Sequence, residues 1–274
     1  MKNKMSASEL KATAKEQLLG CYTIAIGSLV ILIIISYGIL SIVSGAISSL
    51  VLAGRTSGNT LDVEQLSLLM SDPKMSFLIN ILTYIVMAVV APIMSIFSVG
   101  YTYVCREISY GRYPKTSDLF YGFKNHPDKI IIISLVVYAI ELALRLPADI
   151  YSMNVGNDPS GQQFLAYVIM VVIFAIIMAF ISIMLSQAYL VYLDKPEFGA
   201  IDCIKASIAL MKGNKWRYFY LLVSFIGYGL LIVFSLGIAV LWIAPFYEVT
   251  AVNFYRNITG EDIGSEFGSG INED

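Results

Sequence analysis

The sequence predicts an all-α polytopic membrane helical bundle: six spans arranged as three helical hairpins, each preceded by a short amphipathic interfacial helix. Three observations lead there. Of 274 residues, 57% are apolar and only 14% charged, against roughly 45–50% and about 25% in soluble domains. The charged side chains, 18 basic and 20 acidic, are absent from four long runs, Gln17–Gly54, Met75–Cys105, Pro159–Leu193 and Tyr218–Tyr247. Each run exceeds the ~18 residues that mark a candidate span. The Lys and Arg residues gather in alternate connecting segments, as in a chain that threads back and forth through a bilayer. This composition excludes a soluble enzyme, a nucleic-acid binder and a disordered chain.

The first element is a surface helix. Ser6-Ala7-Ser8-Glu9 has the spacing of a capping box; Leu10, Ala14 and Leu18 then recur every four residues, with Lys11 and Lys15 on another face. The following apolar run is too long for a signal-peptide core of ~7–15 residues, so it reads as a retained first span, about 22–50. The second span covers about 76–104 and holds Ala91-Pro92. Thr116–Lys124 is a shorter amphipathic stretch with Leu119, Phe120 and Phe123 apolar, and the third span follows at about 130–147. The fourth covers about 163–192. Before the fifth, Ile201, Ile204, Ile208 and Met211 form an apolar stripe beside Asp202, Lys205, Ala209 and Lys212, and Gly213 stands where a helix C-terminus favours a left-handed residue. These three amphipathic segments read either as helices lying in the headgroup plane or as cytoplasmic helices packed on the span ends.

The last two spans, about 217–236 and 238–256, need a turn between them. A single helix from Tyr218 to Tyr255 would reach ~57 Å, almost twice the hydrocarbon thickness, and Ser235-Leu236-Gly237 supplies the turn. The whole of 1–274 is one membrane domain, with 257–274 a short acidic, disordered cytoplasmic tail. With the N-terminus inside, fifteen Lys and Arg residues fall in the inner segments, from Lys2 to Arg256, against Arg55 and Lys74 outside and Arg145 at the outer end of the third span. That bias places the protein in the plasma membrane as a multi-pass chain with both termini cytoplasmic. Cys21, Cys105 and Cys203 lie toward the reducing side, and no disulfide or metal role is assigned to them.

An internal echo suggests that one unit repeats. Leu10-Lys11-Ala12-Thr13 matches Ile204-Lys205-Ala206-Ser207, each followed by a glycine, Gly20 or Gly213, that opens a span. Ala91-Pro92 matches Ala244-Pro245, and the exits Arg106-Glu107-Ile108-Ser109-Tyr110-Gly111 and Arg256-Asn257-Ile258-Thr259-Gly260 are alike.

Ser207, Met211-Lys212-Gly213-Asn214-Lys215-Trp216, Phe219, Ser224-Phe225-Ile226-Gly227-Tyr228, Leu236-Gly237-Ile238, Trp242, Pro245 and Phe254-Tyr255 resemble the C-terminal half of a bacterial integral-membrane family. That family is catalogued as domain of unknown function 975 (DUF975). Leu10-Lys11, Ala14 and Gly20 fit its opening. Tyr228 stands where the family has Trp, and Cys21-Tyr22 replaces a more usual Asn/Lys-Trp. The resemblance implies a six-span protein, commonest in Gram-positive bacteria, with no assigned activity.

Ionisable groups at membrane depth cost roughly 2.5–3.5 kcal/mol and are functional candidates. Glu141 and Arg145 are four apart on one helix face, with Glu first, the favoured order for an ion pair; Arg145 can snorkel outward. They read as a structural pair or as part of a proton or ion relay. Glu248 follows Pro245, whose missing N–H frees a carbonyl near Leu241; carboxylate and carbonyl together suit a cation, while hydrogen bonds from nearby hydroxyls and amides are the plainer role. Pro92 and Pro245 are the candidate helix breaks. Ser41, Gly45 and Ser49 form a small-residue seam for close helix packing, within the bundle or between copies. Lys205, Lys212, Lys215 and Trp216 form a candidate surface for anionic lipid or a partner protein.

One histidine, His126, argues against His-rich metal sites and His-based triads, and no nucleophile elbow, phosphate loop or C-x-x-C motif is present. The expectation is a protein without catalytic residues, metal, cofactor or nucleic-acid partner. Its expected partners are the lipid bilayer, anionic lipids of the inner leaflet and a membrane-protein partner, which it organises; the alternative is a small transporter or export and immunity accessory that uses the intramembrane carboxylates.

Overall fold

A computed structural model describes residues 4–53, 73–155, 160–261 and Ile263. Among these every regular element is a helix. In chain order they are α1 (Ala7–Leu18), α2 (Tyr22–Ala53), α3 (Pro73–Ser109), a 3-10 turn (Thr116–Phe120) leading into α4 (Tyr121–Lys124), α5 (Pro127–Val155), α6 (Gly161–Leu185), α7 (Ala188–Asp194), α8 (Ala200–Met211), α9 (Lys215–Val223), α10 (Ile226–Phe234) and α11 (Val240–Thr259). Five segments are long and apolar enough to cross a membrane: Tyr22–Ser49, Phe77–Ser109, Pro127–Val155, Gly161–Asp194 and Lys215–Phe234. The sixth expected span, 238–256, falls mostly on α11, which is not among those five.

The chain divides into two compact units. Met1–Ile34, Ser95–Ile133 and Ser182–Asp274 make the first, Ile35–Met94 and Ser134–Ile181 the second.

In the first unit, α1 begins with the expected capping box: the Glu9 amide donates to Ser6 Oγ at 3.3 Å and the Ser6 amide to Glu9 Oε2 at 2.6 Å. Two otherwise orphaned donors are satisfied reciprocally. The stripe Leu10, Ala14 and Leu18 is fully covered by protein. Ala14 and Leu18 join Tyr101, Val104, Cys105, Ile108 and Val249; Leu10 joins Met211, Leu221 and Phe254. This is the packing of a helix laid on the ends of others, so the apolar face of α1 is spent on protein contacts. On α8 the buried face is Ala200, Cys203, Ile204, Ser207 and Met211. Ile201 and Ile208, expected on the same stripe as Ile204 and Met211, are 47% and 41% exposed, because the helical turn carries them to the flanking side.

Gly20 and Gly213, the paired glycines of the sequence echo, both adopt left-handed backbone, at φ +85° and +94°. Only glycine enters that region without steric cost, so each ends its amphipathic helix and re-aims the chain into an apolar one. The expected turn between the last two apolar segments is present: α10 stops at Phe234, Leu236 and Gly237 take positive φ, and α11 starts at Val240.

Three prolines lie inside helices: Pro92 in α3, Pro147 in α5 and Pro245 in α11. None is a break. The helix that carries the third expected span therefore extends beyond 130–147, through Pro147 to Val155. Each proline forfeits one backbone hydrogen bond, which an apolar helix supported by its neighbours tolerates. The tail also differs from expectation at its start. Residues 257–259 complete α11, Glu261 is held by Arg256, and Ile263 is 2% exposed; Asp262 and 264–274 lie outside the described residues, as does the Arg55 loop.

Candidate functional site

The second unit holds Glu141 and Arg145. Arg145 Nη1 lies 3.5 Å from Glu141 Oε1, with the side chains 61% and 42% exposed, so the pair is long and little covered by protein. The same helix face continues at Asp149, four residues on, which sequence reasoning passed over although the spacing was visible. Tyr84 donates a hydrogen bond to Asp149 Oδ2, and Tyr138 donates to the Tyr84 carbonyl at 2.8 Å. Glu141, Arg145 and Asp149 line a groove of about 320 Å³ whose other wall includes Tyr167, Phe174 and Met178.

Glu248, in the first unit, accepts a 2.7 Å hydrogen bond from the Thr102 hydroxyl. The residue before it, Tyr247, shares a 3.3 Å hydrogen bond with Tyr218. For Glu248, a hydrogen bond from a neighbouring hydroxyl is the kind of contact the plainer of the two expected roles calls for.

The candidate basic surface divides by exposure. Lys205 and Lys212 are exposed on α8 and Trp216 is 80% exposed at the start of α9, while Lys215 is half-buried. Ile201, Lys205, Ile208 and Lys212 follow one another at spacings of four, three and four, which puts them on one helix face. That face alternates apolar and basic side chains and flanks the buried one.

Beside it sits Arg217, which the sequence registered only as a charge. Its guanidinium donates to the Met5 carbonyl at 2.8 Å, to Asn257 Oδ1 at 2.8 Å and to Asn214 Oδ1 at 3.3 Å, and it lies 5.5 Å from the Phe254 ring centroid. These partners are all neutral. Met5, Ala7, Leu10, Trp216, Arg217, Tyr220, Leu221 and Phe254 line an adjoining groove of about 350 Å³.

A buried polar node, equally invisible in the sequence, joins α1, α3 and α11. Gln17 donates to the Ser109 carbonyl at 2.9 Å and accepts from Asn253 at 2.7 Å; the Ser109 hydroxyl donates to Asn253 Oδ1 at 2.8 Å. Arg256, 1% exposed, donates to the Ser109 carbonyl, pairs with Glu261 at 2.7 Å and lies 3.9 Å over the Tyr110 ring. Burial, reinforced by the hydrogen bond to Glu261, pushes the Tyr110 hydroxyl up to about 12. Lys11 Nζ donates to the Ser224 carbonyl at 2.7 Å and sits 4.1 Å from the Phe225 ring centroid. Burial lowers its ammonium pKa from the usual lysine range. Glu107, hydrogen-bonded to Arg112 at 2.9 Å, raises that guanidinium. The three cysteines are free and buried.

Searches of curated proteins and of solved structures returned no match. A family model described as "Protein of unknown function (DUF975)" matches residues 1–262, nearly the whole chain. The lysine-glycine and proline-aromatic signatures that resembled this family thus sit within a match that runs from α1 through α11, and the chain belongs to the DUF975 family.

Proposed function

We propose that this chain is a non-catalytic multi-pass membrane protein whose basic margin organises anionic lipid of the inner leaflet. It crosses the bilayer six times, α11 supplying the sixth crossing, with both termini cytoplasmic. The observation that carries the reading is the exposed face of α8, where Ile201, Lys205, Ile208 and Lys212 share one side while the flanking side is packed into protein. Apolar and basic side chains on one face suit the boundary between acyl chains and headgroups. Each juxtamembrane lysine adds about 1 kcal/mol toward an anionic surface. Trp216, exposed at the head of α9, fits the same boundary.

The test is extraction of the protein with its surrounding lipid in polymer discs. The native chain should carry anionic phospholipid enriched over the bulk membrane, and reversing Lys205, Lys212 and Lys215 to Glu should remove the enrichment. Unchanged enrichment with loss of a crosslinked protein would move the surface to a protein partner. Fused reporters at both ends should report the cell interior.

The groove beside Glu141 and Asp149 supports a second reading, a small transporter or export and immunity accessory. It requires that Glu141→Gln or Glu248→Gln abolish a transport phenotype; a phenotype intact in both variants rules it out.

A further inference from the structure

We infer that the groove between α1, α9 and α11 is a binding site for a single anionic phospholipid, with the phosphate on Arg217 and an acyl chain along the apolar wall. The inference deepens the lipid reading above and rests on it for the placement of α9 at the inner headgroup level.

Three features converge. The first is shape: an open groove of about 350 Å³ bordered by the start of α1 (Met5, Ala7, Leu10), two turns of α9 (Trp216 to Leu221) and Phe254 of α11. Most of that lining is apolar, as in sites that bury a hydrocarbon chain and orient it by a few polar groups. The second is charge. Arg217 is half-buried, and among the described residues no carboxylate pairs with it; Met5 O, Asn214 Oδ1 and Asn257 Oδ1 are neutral acceptors. A guanidinium so held keeps its positive charge uncompensated while its fork is fixed in orientation. Its planar donor geometry suits a phosphodiester better than an ammonium would. The third is direction. Arg217 stands two residues into the apolar segment Lys215–Phe234, and the groove's apolar wall continues from it through Tyr220 and Leu221. The polar end is thus at the segment's start and the apolar wall lies within it, which is how a lipid molecule is built. Glu9, the nearest acid on α1, is engaged with Ser6 in the capping box.

This site differs from the exposed α8 face. Lysines there attract the anionic surface as a whole, without a cavity; Arg217 and the groove would hold one molecule in defined stoichiometry.

Native mass spectrometry of the delipidated full chain in detergent tests this directly. Phosphatidylglycerol added back should give a single adduct, and phosphatidylcholine with the same acyl chains should bind at least tenfold more weakly. Water-soluble glycerophosphoglycerol at the same concentration should neither bind nor compete, since it lacks the chain. Ala7→Trp, which fills the groove from the first turn of α1, should remove the adduct while leaving the helical circular dichroism unchanged. Arg217→Lys should weaken phosphatidylglycerol at least fivefold with little effect on phosphatidylcholine. Equal retention of the two lipids, competition by the soluble headgroup, or an adduct that survives Ala7→Trp would overturn the inference. Lys205→Glu with Lys212→Glu serves as the separating control: it should abolish enrichment in polymer discs and keep the adduct. Enrichment without an adduct in the native chain sinks the groove alone, and an adduct without enrichment sinks the α8 surface alone.

Discussion

Asn253 donates a 2.7 Å hydrogen bond to Gln17 Oε1 across 236 residues of sequence, and both side chains are buried. Asn253 also accepts from Ser109, while Gln17 reaches the Ser109 carbonyl. Every donor in this triangle has a partner, so its value lies in what removal leaves behind. An unsatisfied buried polar group costs about 1–3 kcal/mol. Asn253→Ala should therefore lower the thermal midpoint in detergent by a destabilisation of about 2–3 kcal/mol. Gln17→Ala combined with it should cost less than the sum of the single changes, because the second removes a group the first has already orphaned.

Gly100 of α3 is pressed against the Leu119 backbone: a Cβ at residue 100 would stand 1.7 Å from the Leu119 carbonyl oxygen. No side-chain rotation relieves a clash with backbone. Gly100→Ala should destabilise by more than the ~1–3 kcal/mol typical of overpacking, read as loss of monodisperse protein on size-exclusion chromatography. Normal yield and midpoint in this variant would contradict the close approach.

Lys11 caps a helix that is not its own. The chain between α9 and α10 turns at Ser224, whose carbonyl accepts from Lys11 at 2.7 Å. Lys11→Met keeps the aliphatic stem and removes the donor, and should cost about 1.5–3 kcal/mol as a charged hydrogen bond is lost; Lys11→Arg should recover part of it. Because burial lowers the Lys11 pKa, the unfolded chain holds this proton more tightly than the folded one. Stability should rise with pH from the lowered folded value toward the ordinary value near 10.4, and this slope should vanish in Lys11→Met.

Tyr110 gives the opposite sign. Its hydroxyl is raised to about 12 in the fold, above the ordinary value of about 10. The stabilising contribution is complete below the unfolded value and is lost as pH climbs through the folded one. Tyr110→Phe should flatten the alkaline loss of stability between about pH 10 and 12, and should remove one tyrosine's share of the absorbance rise at 295 nm from the native protein's titration near pH 12.

The Glu141–Arg145 pair is exposed and 3.5 Å long. Pairs of this kind contribute about 0.3–0.5 kcal/mol, so Glu141→Gln should leave the midpoint nearly unchanged. A shift several times larger would mean that the carboxylate is bound to more than Arg145.

Local features were legible because they depend on neighbours in sequence. The capping box at Ser6 and Glu9, the glycine turns at Gly20 and Gly213, and the hairpin turn at Ser235-Leu236-Gly237 are set by spacing and backbone sterics within a few residues. Proline misled at residues 92 and 245, which lie inside continuous helices: the sequence cannot show whether neighbouring helices will support a turn that has lost one hydrogen bond. The α8 stripe was half right, since Ile204 and Met211 are buried while Ile201 and Ile208 face outward, and hydrophobicity alone does not distinguish an apolar side chain for protein from one for lipid.

What the sequence determined by itself is solvation: charge-free runs too long for a soluble core dictate helices, and Ser, Gly and basic residues mark where those helices start and stop. What only the tertiary structure decided is which polar groups meet. Gln17, Ser109, Asn253 and Arg256, or Met5, Arg217 and Asn257, are far apart along the chain. A buried hydrogen bond is specified by position to within a fraction of an ångström and by the absence of competing water, and no residue's identity carries either until the helices have packed.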